Sequence, residues 1–475
     1  MQQVSNDPHR SNYHFLPPAN WMNDPNGVID WNGHYHLFYQ YNPNGAFWGT
    51  MHWGHAISSD LVHWQHCPIA LAPTPGTVDE DGCFSGCAVD HNGVATLIYS
   101  GHRGDNQRPC IATSTDPLLL TWQKHAGNPV IPAPPADLDL VGFRDHAVWY
   151  EDGNWYHIIG AGIRDVGGAA LLYCSPNLID WNYLHPLWVG DLTQTEPVWS
   201  GTMWECPQLL RFEHGAVLLV SVWEAGRTLY SLALVGDYTD QRFVPRSMQK
   251  LDYGNNYFYA PQACIDRTGR TIMWGWIQEG RNGEAQRAAG WSGVMSLPRL
   301  VTLDSAGTLE IEPVPELRTL RDAATHFPAI ALPAESLVNV PIHGTQLELA
   351  LSIAPDHASE IEVIVRCSPD GSEQTIIRYQ RATGTISIDS SQASRDPSVK
   401  HDQRSGPLHL KSDNAEPLEL RIWIDNSVIE VFANRRACLT GRVYPTRSDS
   451  LGVALYARGG SARLVAGTGW HLKSS

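Results

Sequence analysis

Five segments of the chain repeat one pattern of apolar and polar positions: a short motif, an apolar or alternating run, a turn, and a second strand-like run. The first unit has Val28-Ile29-Asp30, the turn Trp31-Asn32-Gly33, then His34-Tyr35-His36-Leu37-Phe38-Tyr39. The second has Cys87-Ala88-Val89, the turn Asp90-His91-Asn92-Gly93 and Val94 to Tyr99. The third turns at Glu151-Asp152-Gly153-Asn154, the fourth at His214-Gly215 and the fifth at Asp266-Arg267-Thr268-Gly269. β-Branched and aromatic runs flanking Gly-containing turns predict β-hairpins. Three units add a small-polar, Leu, Trp segment (Ser59 to Trp64, Ser114 to Trp122, Ser175 to Trp181), which is predicted as a third strand.

The motifs that open the units are evenly spaced. Asp24 sits in Trp21-Met22-Asn23-Asp24-Pro25-Asn26-Gly27, and Ser85, in Phe84-Ser85-Gly86, follows 61 residues later. Asp145, in Gly142-Phe143-Arg144-Asp145-His146, and Glu205, in Met203-Trp204-Glu205-Cys206-Pro207, follow at steps of 60, and Ala260, in Tyr259-Ala260-Pro261-Gln262, at 55. Repeats of short strands with a near-constant period predict an all-β fold led by a five-bladed β-propeller. A large sandwich is the competing reading, but it has no reason to keep that period. The innermost strand of each blade lines a central channel, so motifs at its start converge on one mouth. Asp24, Asp145 and Glu205 are therefore read as one site, carried by equivalent repeat positions.

The repeat stops near Met295-Ser296-Leu297-Pro298-Arg299. New alternation appears in Leu347 to Ser352, Ile361 to Val365, Leu420 to Ile424 and Val428 to Phe432, which predicts a C-terminal antiparallel β-sandwich. The expected domains are a propeller over 1–305, a linker over 306–335 and a sandwich over 336–475.

Composition narrows the function. The 475 residues exceed one core, and 18 Trp among 17% charged residues describe a folded, aromatic-rich protein. A formal charge of −16 argues against nucleic acid and anionic membranes as partners. The opening Met1 to Asp7 has no apolar run, and the nine Cys lack framework spacing. Reduced thiols in a cytoplasmic protein are expected, with a processed secreted form as the alternative. Cys83 and Cys87 lack the second pair that a zinc site needs. The His34/His36 and His52/His55 pairs are read as packing and hydrogen-bonding groups, so no metal or cofactor is expected.

Two carboxyls facing one bond are the minimum equipment for glycoside hydrolysis: one ionised, one delivering a proton to the leaving oxygen. A third carboxylate beside Arg144 is expected to be held ionised by that cation. Trp48, Trp53, Trp204, Trp276 and Trp291 are candidates for stacking on a sugar face, although core packing is the commoner fate of any single Trp.

These residues resemble glycoside hydrolase family 32, the β-fructofuranosidases, over nearly the whole chain. The resemblance rests on His14-Phe15 with Trp21 to Gly27, Phe38 to Pro43, Trp48-Gly49, Met51 to Ala56, Phe84-Ser85-Gly86, Trp204 to Pro207, Gly290 to Arg299 and Ser427 to Asn434. It implies a retaining mechanism on sucrose and short fructans. Asp24 is then the nucleophile and Glu205 the acid and base. Asp145 is the transition-state stabiliser, gripping the sugar hydroxyls with Arg144. Asn23, Gln40, Trp48, Phe84 and Ser85 are implied to line the fructose pocket, with Cys206 and Trp276 beside them. Two positions depart from the family pattern: His146 stands where Pro is usual, and Gln208 where an acid is usual. Both are expected to alter leaving-group preference rather than chemistry. A fructosyltransferase or fructan exo-hydrolase is the neighbouring reading, and a non-enzymatic sugar-binding propeller the remote one. Low Lys content disfavours a phosphorylated substrate unless local cations supply a site. Oligomeric state stays open.

Overall fold

A computed structural model describes residues 6–411 and 416–475. Residues 20–313 fold into five antiparallel sheets of four main strands each, all meandering outward from an innermost strand. The innermost strands are Asn20–Trp31, Gly82–His91, Leu140–Glu151, Met203–Phe212 and Tyr259–Ile265. Each packs on the next, and the fifth packs on the first, so the ring closes as a five-bladed propeller. Closure is sealed across the sequence: Trp291-Ser292 pairs in parallel with Asn20-Trp21 of blade one. Gly293, at φ +83°, permits this approach, because a Cβ there would lie 2.1 Å from the Met22 carbonyl.

The predicted third strands are corrected. The third strands of blades one to three end at Ser58, Ser114 and Ser175, and the Leu-Trp segments that follow are the turns leading outward. In each turn an Asx side chain accepts backbone amides: Asp60 from Val62 and His63, Asp116 from Leu118 and Leu120, Asn177 from Ile179 and Asp180. The Trp indole N–H closes the turn on the Leu carbonyl, at 3.2 Å for Trp64, 2.9 Å for Trp122 and 2.9 Å for Trp181. The Leu residues adopt φ near +60° (68°, 55° and 67°), which a strand does not tolerate.

The expected linker also shrinks. Leu309–Pro313 is the outermost strand of blade five, while Arg321–Phe327 and Ile330–Leu332 pair with the last sandwich strand. Only 314–320, mostly a 3-10 turn, connects the domains. Hydrogen bonding to neighbouring strands, invisible in local alternation, recruits the rest. The sandwich sets two antiparallel sheets face to face over an aliphatic core that includes Leu349, Val363, Ile422 and Leu455.

The two domains share a buried polar seam. Arg299, fully buried, bonds Glu430 at 2.5 and 3.1 Å and Asp252 at 2.9 Å. His14 bridges Asp425 at 2.9 Å and Glu430 at 3.0 Å, and Asp425 also accepts the amides of Asn12, Tyr13 and His14. Arg442 pairs with Glu279 at 3.1 Å. Every carboxylate in this seam meets cationic or N–H partners, so the charges are compensated despite burial. Among the described residues no helix is long and apolar enough to cross a membrane.

Candidate active site

A β-bulge interrupts the innermost strand of every blade at its motif. Pairing jumps from Met22 to Pro25, from Phe84 to Gly86, from Arg144 to His146, from Glu205 to Gln208 and from Tyr259 to Gln262. The unpaired residues include Asp24, Ser85, Asp145, Cys206 and Ala260. A bulge re-aims side chains that a regular strand would send to alternate faces. Asp145, Cys206 and Ala260 reach φ of +62°, +47° and +49° to do so.

The bulge residues form an inner ring. The Ser85 hydroxyl donates to Asp24 Oδ2 at 2.6 Å. Cys206 Sγ lies 3.7 Å from Asp24 Oδ2 and 3.6 Å from Asp145 Oδ2, and the Cys206 amide donates to that Asp145 oxygen at 3.1 Å. One thiol thus touches two of the acids.

In blades two to five the last paired residue before the bulge (Phe84, Arg144, Glu205 and Tyr259) forms an outer arc. Arg144 donates to Glu205 Oε1 at 3.0 and 2.7 Å, and the Tyr259 hydroxyl donates to Glu205 Oε2 at 2.7 Å. Glu205 is therefore the repeat equivalent of Arg144 and Tyr259, one step out of phase with Asp145. The expectation of strictly equivalent acids is corrected accordingly. The expected pairing of Arg144 with its neighbour Asp145 is corrected too. The positive φ at Asp145 turns its carboxyl inward, while Arg144 stays on the wall and reaches into the next blade.

Electrostatics follow from this layout. Burial, reinforced by the Glu205 charge and opposed by the Ser85 bond, pushes the Asp24 carboxyl up to about 6. Asp145 is pushed up further, by burial first and Glu205 second, and Arg144 offsets only part of that. Arg144 spends its hydrogen bonds on Glu205, so Asp145 is not held ionised as expected; Asp24 and Asp145 hold protons toward the neutral range.

Above the acids opens a cavity of about 960 Å³. Asn23, Asp24, Gln40, Trp48, Phe84, Ser85, Arg144, Asp145, Glu205 and Trp276 line it. Asn23 is fixed by the Trp21 indole at 2.8 Å, and Gln40 by the Cys83 carbonyl at 3.0 Å. Trp48 is 57% exposed at the rim, edge-on to Phe84. Trp53, Trp204 and Trp291 are instead fully buried and take no part. Cys206 lies beneath the acids rather than on the cavity wall. His146 and Gln208 do not line it either. Gln208 makes two bonds, 2.7 and 2.8 Å, to the backbone of Ala263 and so staples blade four to blade five. The clustered His36 and His55 bond each other at 3.0 Å in the blade-one core.

Several lining residues escape the sequence reading. Tyr259 has a signal: Tyr259-Ala260-Pro261 has the same bulge frame as Glu205-Cys206-Pro207. Trp21, Trp223 and Arg227 carry no phase signal, and Lys400 comes from the sandwich, which no propeller period can flag.

With three acids, their donors and an aromatic rim in one cavity, the comparisons with known proteins decide the class. Residues 14–313 match the Glycosyl hydrolases family 32 N-terminal domain, and residues 316–471 match the Glycosyl hydrolases family 32 C terminal. The chain belongs to glycoside hydrolase family 32. It is 35% identical to the raffinose invertase of Escherichia coli, over 97% of this chain and 94% of that protein. It is 35% identical to a sucrose-6-phosphate hydrolase of Zymomonas mobilis, over 98% and 92%. Its fold matches fructan 1-exohydrolase IIa of Cichorium intybus, solved in complex with 1-kestose: TM-score 0.88, 26% identity, 98% of each chain covered. As a family 32 glycoside hydrolase the protein is a β-fructofuranosidase acting on a small sugar or oligosaccharide.

Proposed function

We propose that the enzyme hydrolyses terminal fructosyl bonds of sucrose and short fructans by a retaining mechanism with Asp24 as nucleophile. The carrying observation is the pair of contacts on Asp24: the Ser85 hydroxyl at 2.6 Å and the Cys206 thiol, which also touches Asp145. These hold Asp24 Oδ2 in place, and the carboxyl faces the cavity for attack on the anomeric carbon. Glu205, partly exposed between Arg144 and Tyr259, stands nearer the mouth, where the leaving group departs. It protonates that oxygen and then activates water, drawing on the proton that the crowded cluster retains. Asp145, 4% exposed at the base, faces the buried sugar and stabilises positive charge as it develops. Nine free cysteines support a reducing, cytoplasmic setting. The decisive test is NMR of the first-formed product: β-fructofuranose supports retention, and α-fructofuranose overturns it.

A second reading concerns the leaving group. Lys400 and Arg227 project exposed into the cavity mouth, and neither forms an ion pair among the described residues. Two uncompensated cations on a chain of charge −16 favour an anionic aglycone such as a phosphorylated glucosyl group. Comparing kcat/KM on sucrose 6-phosphate and sucrose tests it. A preference that vanishes in Arg227→Met/Lys400→Met supports this reading; a preference for plain sucrose refutes it.

A further inference from the structure

Beneath the acids, Ser100 joins two blades through one hydroxyl. Its Oγ accepts the Asp145 amide at 2.9 Å, donates to the Ser85 carbonyl at 3.2 Å, and lies 2.9 Å from His146 Nε2. A serine has one proton and two acceptor sites. With the proton committed to Ser85 and one site to Asp145, the remaining site needs a donor, so His146 must carry its proton on Nε2. His146 Nδ1 is then a bare acceptor, and it lies 3.0 Å from His157 Nε2. His157 must donate from Nε2, which leaves its Nδ1 as a lone pair; that atom is indeed buried without a hydrogen-bond partner among the described residues. Reversing the direction would strip Ser85 of its donor and strand a buried N–H on His157, which costs more than an idle lone pair. Both rings are buried, and burial holds both neutral, His146 down to about 3.

We propose that His157 and His146 form a neutral, one-directional hydrogen-bond relay that orients Ser100 and thereby sets the spacing between the Asp24–Ser85 pair and the Asp145 bulge. His146 and His157 are positioning residues: neither touches the cavity, and each acts through Ser100. The relay crosses blades two and three at the point where their bulge residues must meet. It also accounts for a His, rather than an apolar residue, beside Asp145: only a side chain with a donor at one end and an acceptor at the other can continue the line. This inference rests on Asp24 and Asp145 being the reacting acids.

The test is a double-mutant cycle with a spectroscopic control. His146→Leu and Ser100→Ala should each lower kcat about 10- to 100-fold with KM changed less than about 3-fold, since misplacement of the order of 1 Å costs this much. The double variant should be no slower than the slower single one. His146→Gln, which keeps a donor and an acceptor, should recover most of kcat. In wild-type protein with ¹⁵N-labelled histidine, both residues should show the Nε2–H tautomer from pH 5 to 8. Additive losses, a wild-type kcat in His146→Leu, or an Nδ1–H signal on His146 would each overturn the relay. The tautomer readout stands even if His146→Leu fails to fold. Asp145→Asn separates the two readings: full activity there would refute the site assignment, whereas the tautomers would still report on the relay.

Discussion

The molecule buries acidic residues in two places and treats them in opposite ways. At the seam between domains, Asp252, Glu279, Asp425 and Glu430 are matched by Arg299, Arg442, Arg281, His14 and backbone amides. Glu279 and Glu430 are accordingly drawn below the ordinary carboxylate range, because the paired cations outweigh desolvation between them. In the cavity, Arg144 bonds Glu205, Asp24 and Asp145 form no ion pair among the described residues, and burial drives Asp24 and Asp145 upward. Burial alone therefore decides nothing. The ratio of cations and donors to carboxyls decides whether an acidic cluster binds the fold together or stands ready to move protons.

Four experiments break or sharpen this contrast. The largest effect should come from Asp24→Asn, which lowers kcat by roughly 10⁴-fold or more, as loss of an activated nucleophile does. Its stability should move the other way. The raised carboxyl contributes stability at low pH and loses it as pH rises through about 6. Asn removes that dependence, so the variant should melt higher than wild type at pH 8 and gain little at pH 4. Differential scanning calorimetry at both pH values checks it.

Next comes Glu430→Gln at the seam. It leaves Arg299 short of a counter-charge and should cost about 3–5 kcal/mol in denaturant unfolding, as removing one partner of a buried pair does. The folded fraction should keep its kcat. The sign of the pH effect is the reverse of Asp24: a depressed carboxyl contributes stability above pH ~4.5 that is lost as pH falls through the folded-state value. A steep loss of Tm on acidification should therefore be blunted in this variant.

A smaller effect is the acid limb of kcat/KM. It should fall about tenfold per pH unit below about 6, where Asp24 becomes protonated. In Asp145→Asn any residual activity should show this limb shifted, because the two carboxyls sense each other. The smallest is Tyr259→Phe, which removes one donor from Glu205 Oε2 and should lower kcat roughly 3- to 10-fold with unchanged folding.

Much of this is legible in the chain, for identifiable reasons. The hairpin turns and the motif period depend on local chemistry and even spacing, so the propeller, the sandwich and the three acids follow from them. What escapes depends on cross-strand geometry. The bulges shift Asp145 one step from Glu205, and no count of residues shows on which side of a bulge a carboxyl falls. Sequence adjacency suggests that Arg144 contacts Asp145, yet a positive φ at Asp145 sends the two side chains apart. The Leu-Trp turns imitate strands because their Leu is buried and their Trp half-buried, as along a strand. Trp53, Trp204 and Trp291 look like Trp48 and Trp276 in composition, and only packing separates the core from the cavity lining.

The seal between Asn20-Trp21 and Trp291-Ser292 sets an order on biosynthesis. Asp24 precedes the other two acids, but its strand lacks a paired neighbour on one side until residue 292 has left the ribosome. The preceding segment, Asn12 to His14, is anchored only when Asp425 and Glu430 arrive. A growing chain can assemble blades two, three and four in turn while the first stays unlatched. A chain cut before residue 291 would carry Asp24, Asp145 and Glu205 but lack the strand that closes the ring.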